Sequence, residues 1–128
     1  MLGTRISLGS PFEEMAGYSR AVVDGDMVYV SGTIGYDVVN KRFPSTVEEQ
    51  ATLAFATISA VLAEAGTGLE NMLRVRIYVA SREEFERIKP IIKAHCDKAR
   101  PANTTILSEL AEVEMRVEIE VTARIPGK

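Results

Sequence analysis

The chain has 128 residues, of which 46% are hydrophobic, with a formal net charge of -3 and a sequence pI of about 5.2. That size and composition suit one ordinary domain spanning residues 1–128, and the acidic balance with no basic stripe speaks against a nucleic-acid partner. Cys96 is the only cysteine, which excludes an internal disulfide, and no apolar run reaches the roughly 18 residues that a membrane-spanning helix needs. Residues Met1 to Ser10 lack the apolar segment of a secretory signal, so a cytoplasmic protein is expected.

The predicted elements begin with two strands, Ser19 to Val23 and Met27 to Ile34. They are joined across Asp24-Gly25-Asp26, because an Asp-Gly pair readily takes the backbone angles of a tight hairpin. Met27 to Val30 is apolar on both faces and reads as a central strand, loosened at its end by Gly32 and Gly35. Tyr36 to Pro44 reads as a loop. Ser45 and Glu48 then form a candidate capping box for a first helix. Leu53, Ala54, Ile58, Val61, Leu62 and Ala65 recur at helical spacing, with Thr57 the polar exception, and Gly66 is placed to end the helix in a left-handed turn.

Met72 to Ala80 alternates as a strand, with Leu73, Val75, Ile77 and Val79 on one face and Arg74, Arg76 and Tyr78 on the other. Ser81 and Glu84 make a second capping box, opening a helix to about Lys98 with Phe85, Ile88, Ile91 or Ile92, and Cys96 inward. Pro90 lacks an amide hydrogen and crowds the preceding turn, which predicts a kink or break there. Thr104 to Leu110 reads as a strand and Ala111 to Val113 as a turn. Glu114 to Arg124 alternates most regularly, with Met115, Val117, Ile119, Val121 and Ala123 on its apolar side. The predicted order is β-β-α-β-α-β-β, an α+β chain with one mixed sheet and two helices on one face. The other face would carry Arg74, Arg76, Tyr78, Arg116 and Glu118. By pattern it is either a solvated face with cross-strand ion pairs or a subunit interface.

Several short motifs fall along this order: Gly17-Tyr18-Ser19-Arg20-Ala21, Val28-Tyr29-Val30-Ser31-Gly32, Val75-Arg76-Ile77-Tyr78-Val79, Arg100-Pro101-Ala102 and Val117-Glu118-Ile119-Glu120. In this order and spacing the chain resembles the RidA/YjgF family of small enamine/imine deaminases, also labelled endoribonuclease L-PSP. The resemblance implies a chorismate-mutase-like fold and a homotrimer with clefts between neighbouring subunits. It also implies a cofactor-free hydrolase of C–N bonds whose partner is a small metabolite. In such enzymes water adds to an imine carbon and ammonia leaves, giving a 2-keto acid.

By the resemblance, Glu118 is the water-positioning carboxylate, Tyr18 and Ser31 are cleft residues, and Asn103 with Thr105 stands at the cleft wall. The family usually has an arginine at position 103 to grip the substrate carboxylate, and this chain departs from it. A neutral amide in place of a guanidinium forfeits roughly 1.5–3 kcal/mol of charge-assisted hydrogen bonding. That loss points to a substrate other than simple 2-imino acids, to weak action on them, or to a metabolite-binding or regulatory trimer that uses the same cleft without catalysis. Arg100 and Arg20 are the nearest candidates for a substitute cation; each also reads as a solvated surface charge. Glu118 could instead sit in a structural network with Arg116, Arg74 or Arg76, Tyr18 could be a strand-edge side chain, and Ser31 a turn residue. His95 beside Cys96 cannot act as a nucleophilic pair, since neighbouring helical side chains diverge by about 100°. One His and one Cys are also too few for a metal site.

Overall fold

A computed structural model describes residues 2–128. Its elements are β1 (Thr4–Ile6), α1 (Pro11–Ala16), β2 (Ala21–Asp24), β3 (Met27–Ile34), α2 (Val47–Ala65), β4 (Met72–Val79), α3 (Arg82–Cys96), β5 (Ala102–Leu107) and β6 (Val117–Arg124). The six strands form one mixed sheet in the order β1-β2-β3-β6-β4-β5, antiparallel throughout except for the parallel β4–β5 pair. Strand β6, last in sequence, lies at the centre between β3 and β4, which explains its strict alternation: Val117, Ile119, Val121 and Ala123 are buried.

Two elements were absent from the predicted order. Strand β1 pairs with β2 at the sheet edge. Helix α1 has a legible start, since Ser10 accepts a hydrogen bond from the Phe12 amide (3.1 Å) and Pro11 occupies the first turn. Gly17, at φ 73°, closes α1 in the left-handed region and turns the chain toward Tyr18.

Helices α2 and α3 cover one face of the sheet. The first cap lies one residue later than expected: Thr46, not Ser45, accepts from the Glu49 amide (3.2 Å), and its hydroxyl donates to Glu49 Oε1 (2.8 Å). Gly66 ends α2 at φ 95°, as its position predicts. The second box forms as predicted between Ser81 and Glu84. Pro90 neither breaks nor ends α3, which runs unbroken from Arg82 to Cys96. Its exposed position leaves room for the ring on the outer side of the helix. Of the predicted inward residues Ile88 is fully buried, while Phe85, Ile91, Ile92 and Cys96 pack at the rim of the core. His95 stacks on Phe55 (centroids 4.4 Å apart) and its Nδ1 lies 2.8 Å from Ile91 O, so its ring is a packing element.

Leu73 is a further correction. The β4–β6 register slips between Met72 and Arg74, so Met72 takes the buried position and Leu73 is exposed. Strand β5 also starts earlier than predicted, at Ala102, and ends at Leu107; β6 starts later, at Val117. The open face of the sheet carries Tyr29, Arg74, Arg76, Tyr78, Glu118, Glu120 and Thr122, as the paired registers require. Arg116 leaves that predicted set. It lies before β6 and grips Glu84 at the start of α3 through Nε (2.8 Å) and Nη2 (2.5 Å), and this pair holds the Glu84 carboxyl below the usual carboxylate range.

Gln50 ties the helix layer to the approach to β6. Its buried amide donates to Pro44 O (3.0 Å) and Glu114 O (2.9 Å), and its carbonyl accepts from the Arg116 amide (2.9 Å). Gly35 lets this segment close, because a Cβ there would collide with the Gln50 backbone. Replacing Gln50 by leucine keeps the volume and strands three backbone groups. Gln50→Leu is expected to cost about 2–4 kcal/mol in urea unfolding, with the m-value unchanged.

Candidate active site

The site begins with a break in the β3–β6 ladder. Val30 pairs with Val121 and Thr33 with Ile119, so β3 spends one residue more than β6 over this interval, and Ser31 and Gly32 bulge. Backbone and side chains lock the bulge. The Ser31 amide donates to Arg20 O (2.9 Å), the Ser31 hydroxyl to Ser19 O (2.7 Å), and the Thr33 hydroxyl to Ser31 O (2.8 Å). The Arg20 guanidinium donates through Nη2 to Gly32 O (2.6 Å). Gly32 matters by proximity rather than by backbone angle, since a Cβ there would overlap the carboxylate of Glu118 on β6 and force it to move aside.

Around this bulge lies a cleft of about 830 Å³. Tyr18, Arg20, Ser31, Gly32 and Glu118 line it together with Glu13, Asp37 and Glu112, while Phe12, Met15, Ile34, Tyr36, Leu53 and Met115 supply apolar surface. Phe12 and Phe43 both pack edge-on against Tyr36, which stiffens that wall (centroids 5.3 and 5.1 Å from it). Thr57, the polar member of the α2 stripe, also faces the cleft. A smaller hollow of about 300 Å³, lined by Tyr78, Ser108 and Glu120 among others, adjoins the other side of Gly32 and Glu118.

Glu118 is half-buried and has no ion pair among the described residues. Burial pushes its carboxyl above the usual carboxylate range; the Arg20 charge pulls it back down and Glu120 pushes it further up. The alternative of a structural network falls to Glu120 instead, which accepts from the Tyr78 hydroxyl (2.8 Å) and pairs with Arg76 (3.6 Å). Tyr18 is 39% exposed at the mouth, its ring 5.6 Å from the Arg20 guanidinium carbon.

The structure therefore brings Tyr18, Ser31 and Glu118 into one cleft. Within the same chain it does not bring Asn103, Thr105 or Arg100 there. Asn103 and Thr105 lie on edge strand β5, separated from β3 by β6 and β4, and the Thr105 hydroxyl donates to Asn103 Oδ1 (3.0 Å). Arg100 is a solvated charge paired with Asp97 (2.8 Å), its side chain 75% exposed. Arg20 is the opposite case: only 5% exposed, it is no surface charge. Glu13, 4% exposed, also lines the cleft and accepts from the Ser7 hydroxyl (2.8 Å). Sequence reasoning missed Glu13 altogether, and the Ser10-Pro11 helix start was the one signal that could have placed it. Among the described residues no three potential ligands cluster to hold a metal.

Fold and site together define a small α+β protein of the chorismate-mutase-like class, with a half-buried carboxylate above a glycine-lined bulge. The pattern of the family described as Endoribonuclease L-PSP matches residues 9–125, and the chain belongs to that family, the RidA/YjgF group. It is 32% identical over 105 residues to a 2-iminobutanoate/2-iminopropanoate deaminase of Dermatophagoides farinae, covering 80% of this chain and 81% of the relative. Protein MMF1, mitochondrial, of Saccharomyces cerevisiae is 29% identical over 108 residues, covering 84% and 74%. Among solved structures, Rv2704 of Mycobacterium tuberculosis, a member of the YjgF/YER057c/UK114 family, superposes with a TM-score of 0.85 at 32% identity, over 95% of this chain and 98% of that one.

Two outcomes follow from the site geometry. Gly32→Ala is expected to destabilise the fold by about 1–3 kcal/mol through overpacking, and a Glu118→Ala background should relieve most of that cost in a double-mutant cycle. Because its folded-state pKa is raised, Glu118 favours the fold while protonated, and that contribution is lost as pH rises through the folded value. The melting temperature of Glu118→Gln should therefore exceed that of the parent at pH 8, with the gap closing toward pH 4.

Proposed function

We propose that this chain is a hydrolytic enamine/imine deaminase acting on a small metabolite in the cleft beside Gly32. The observation that supports it most is Glu118, a carboxylate with no ionic partner among the described residues, raised by burial and facing the same cleft as Tyr18 and Ser31. Such a group suits a proton taken from water and returned later. Glu118 accepts a proton from water as its oxygen bonds the imine carbon. It returns that proton to nitrogen, giving a carbinolamine; it then takes the proton of the new hydroxyl and passes it to nitrogen as the C–N bond breaks, so that a carbonyl product and ammonia leave. The overall change is imine plus water to carbonyl plus ammonia, with no redox step and no cofactor. Tyr18 orients the water at the cleft mouth. The Ser31 hydroxyl, donating to Ser19 O, turns its lone pairs toward any donor on the substrate.

The working unit in this reading is the 1–128 domain as a cytosolic homotrimer. The open sheet face supports it: Tyr29 (49% exposed) and Ile106 (45%) lie on a surface with no covering layer in the single chain. In such an assembly a neighbour's β5 can bring Asn103 and Thr105 to the cleft as neutral wall residues. Burial pushes the Cys96 thiol up to about 11, which suits a reduced, unreactive side chain. No helix among the described residues is long and apolar enough to cross a membrane. RNA cleavage is disfavoured by charge: the cleft is lined by Glu13, Asp37, Glu112 and Glu118 against the single cation Arg20.

A second reading, a metabolite-binding trimer without catalysis, draws on the neutral Asn103 where the family usually has arginine. Imines generated freshly from a panel of amino acids separate the two. The deaminase reading expects ammonia release above buffer and a loss of roughly 100-fold or more in Glu118→Gln. Ligands that raise the melting temperature with no release would support binding alone. Light scattering should give three times the 14.0 kDa chain mass.

A further inference from the structure

We propose that Arg20, rather than position 103, holds the anionic group of the ligand, and that the ligand is a small carboxylate with an apolar side chain. The inference deepens the cleft reading and rests on it for the nature of the ligand.

The first observation is an unsatisfied cation. Arg20 is 5% exposed, and its guanidinium carries five N–H donors. The one hydrogen bond it makes among the described residues is Nη2 to Gly32 O, a neutral acceptor, and Nε is buried with no partner. Among the described residues no carboxylate lies within ion-pairing distance of it. Buried cations are ordinarily matched by an anion, because desolvation without one is costly. Glu118 feels the Arg20 charge without pairing with it, and both line the same cleft, where a ligand anion can meet the guanidinium.

Geometry adds a second line. Arg20 precedes β2 directly across from Ser31, is fixed by the bulge, and faces the Tyr18 ring at 5.6 Å. A guanidinium held at both its backbone and its head is preorganised, so little side-chain entropy is lost on binding. Of the residues lining the cleft it is the only cation. An anion there would place the adjacent carbon on the Glu118 side, with the rest of the molecule against Phe12, Met15, Ile34, Tyr36 and Leu53. The arginine of the family pattern is thus replaced from the opposite side of the sheet, and the apolar walls select the side chain.

The test uses the intact chain with 4-methyl-2-oxopentanoate and its neutral amide as probes in titration calorimetry. The parent is expected to prefer the carboxylate by roughly tenfold or more. Arg20→Gln should abolish that preference while amide affinity holds, and Arg20→Lys should retain part of it. A merely structural role for Arg20 would weaken both probes together. A carboxylate preference that survives in Arg20→Gln overturns the proposal, as does a parent with no preference. Should Arg20→Gln fail to fold, crystals of the parent soaked with the keto acid decide: a carboxylate oxygen within hydrogen-bond distance of the guanidinium supports it, and a carboxylate bound elsewhere refutes it. Imine turnover with an unchanged preference in Arg20→Gln would sink this inference alone. A preference that depends on Arg20 with no turnover of any imine would sink the deaminase reading alone.

Discussion

One extra residue in β3 governs this molecule's chemistry. The bulge at Ser31 and Gly32 turns a regular ladder into a surface with a gap, and that gap admits the Glu118 carboxylate over bare backbone. Without the bulge, the strands would continue pairing and side chains would fill the space. With it, Gly32 O is free to anchor Arg20, and Arg20 in turn is buried where an acceptor for its remaining donors must come from elsewhere. Fold and site share one set of hydrogen bonds here, so the site is as rigid as the sheet that carries it.

The charges on the open sheet face divide into two groups. Arg76, Tyr78 and Glu120 satisfy one another across β4 and β6, and Arg116 turns away to brace α3 through Glu84. These are structural pairings with little left to offer a ligand. Glu118 and Arg20 stand apart, each half or wholly buried and neither in an ion pair among the described residues. Unpaired buried charge is costly in a folded chain, and such cost persists chiefly where function uses it.

Relatives confirm the family and the fold. An amide on an exposed edge strand, hydrogen-bonded to its neighbour Thr105, cannot replace a guanidinium. If Arg20 takes that part, as proposed above, a cation toward the other edge of the same sheet changes which groups of a ligand are read first. It need not change the order of bond making at the carbon beside them.

Much of the architecture was legible in the residues themselves. Alternation in Glu114 to Arg124 marked a strand with one buried face, formed over Val117–Arg124, Ser81 with Glu84 and Gly66 marked helix ends, and Asp24-Gly25 marked a hairpin, because each rests on interactions within a few residues. Tyr18, Ser31 and Glu118 were legible as candidates through their motifs, and the cleft gathers them. What depended on distant contacts was not legible. The shifted register that exposes Leu73, the continuation of α3 past Pro90, the turning of Arg116 to Glu84 and the burial of Arg20 were decided by tertiary packing. Whether an arginine meets water or a strand depends on what folds over it, and that information lies residues away from the arginine itself.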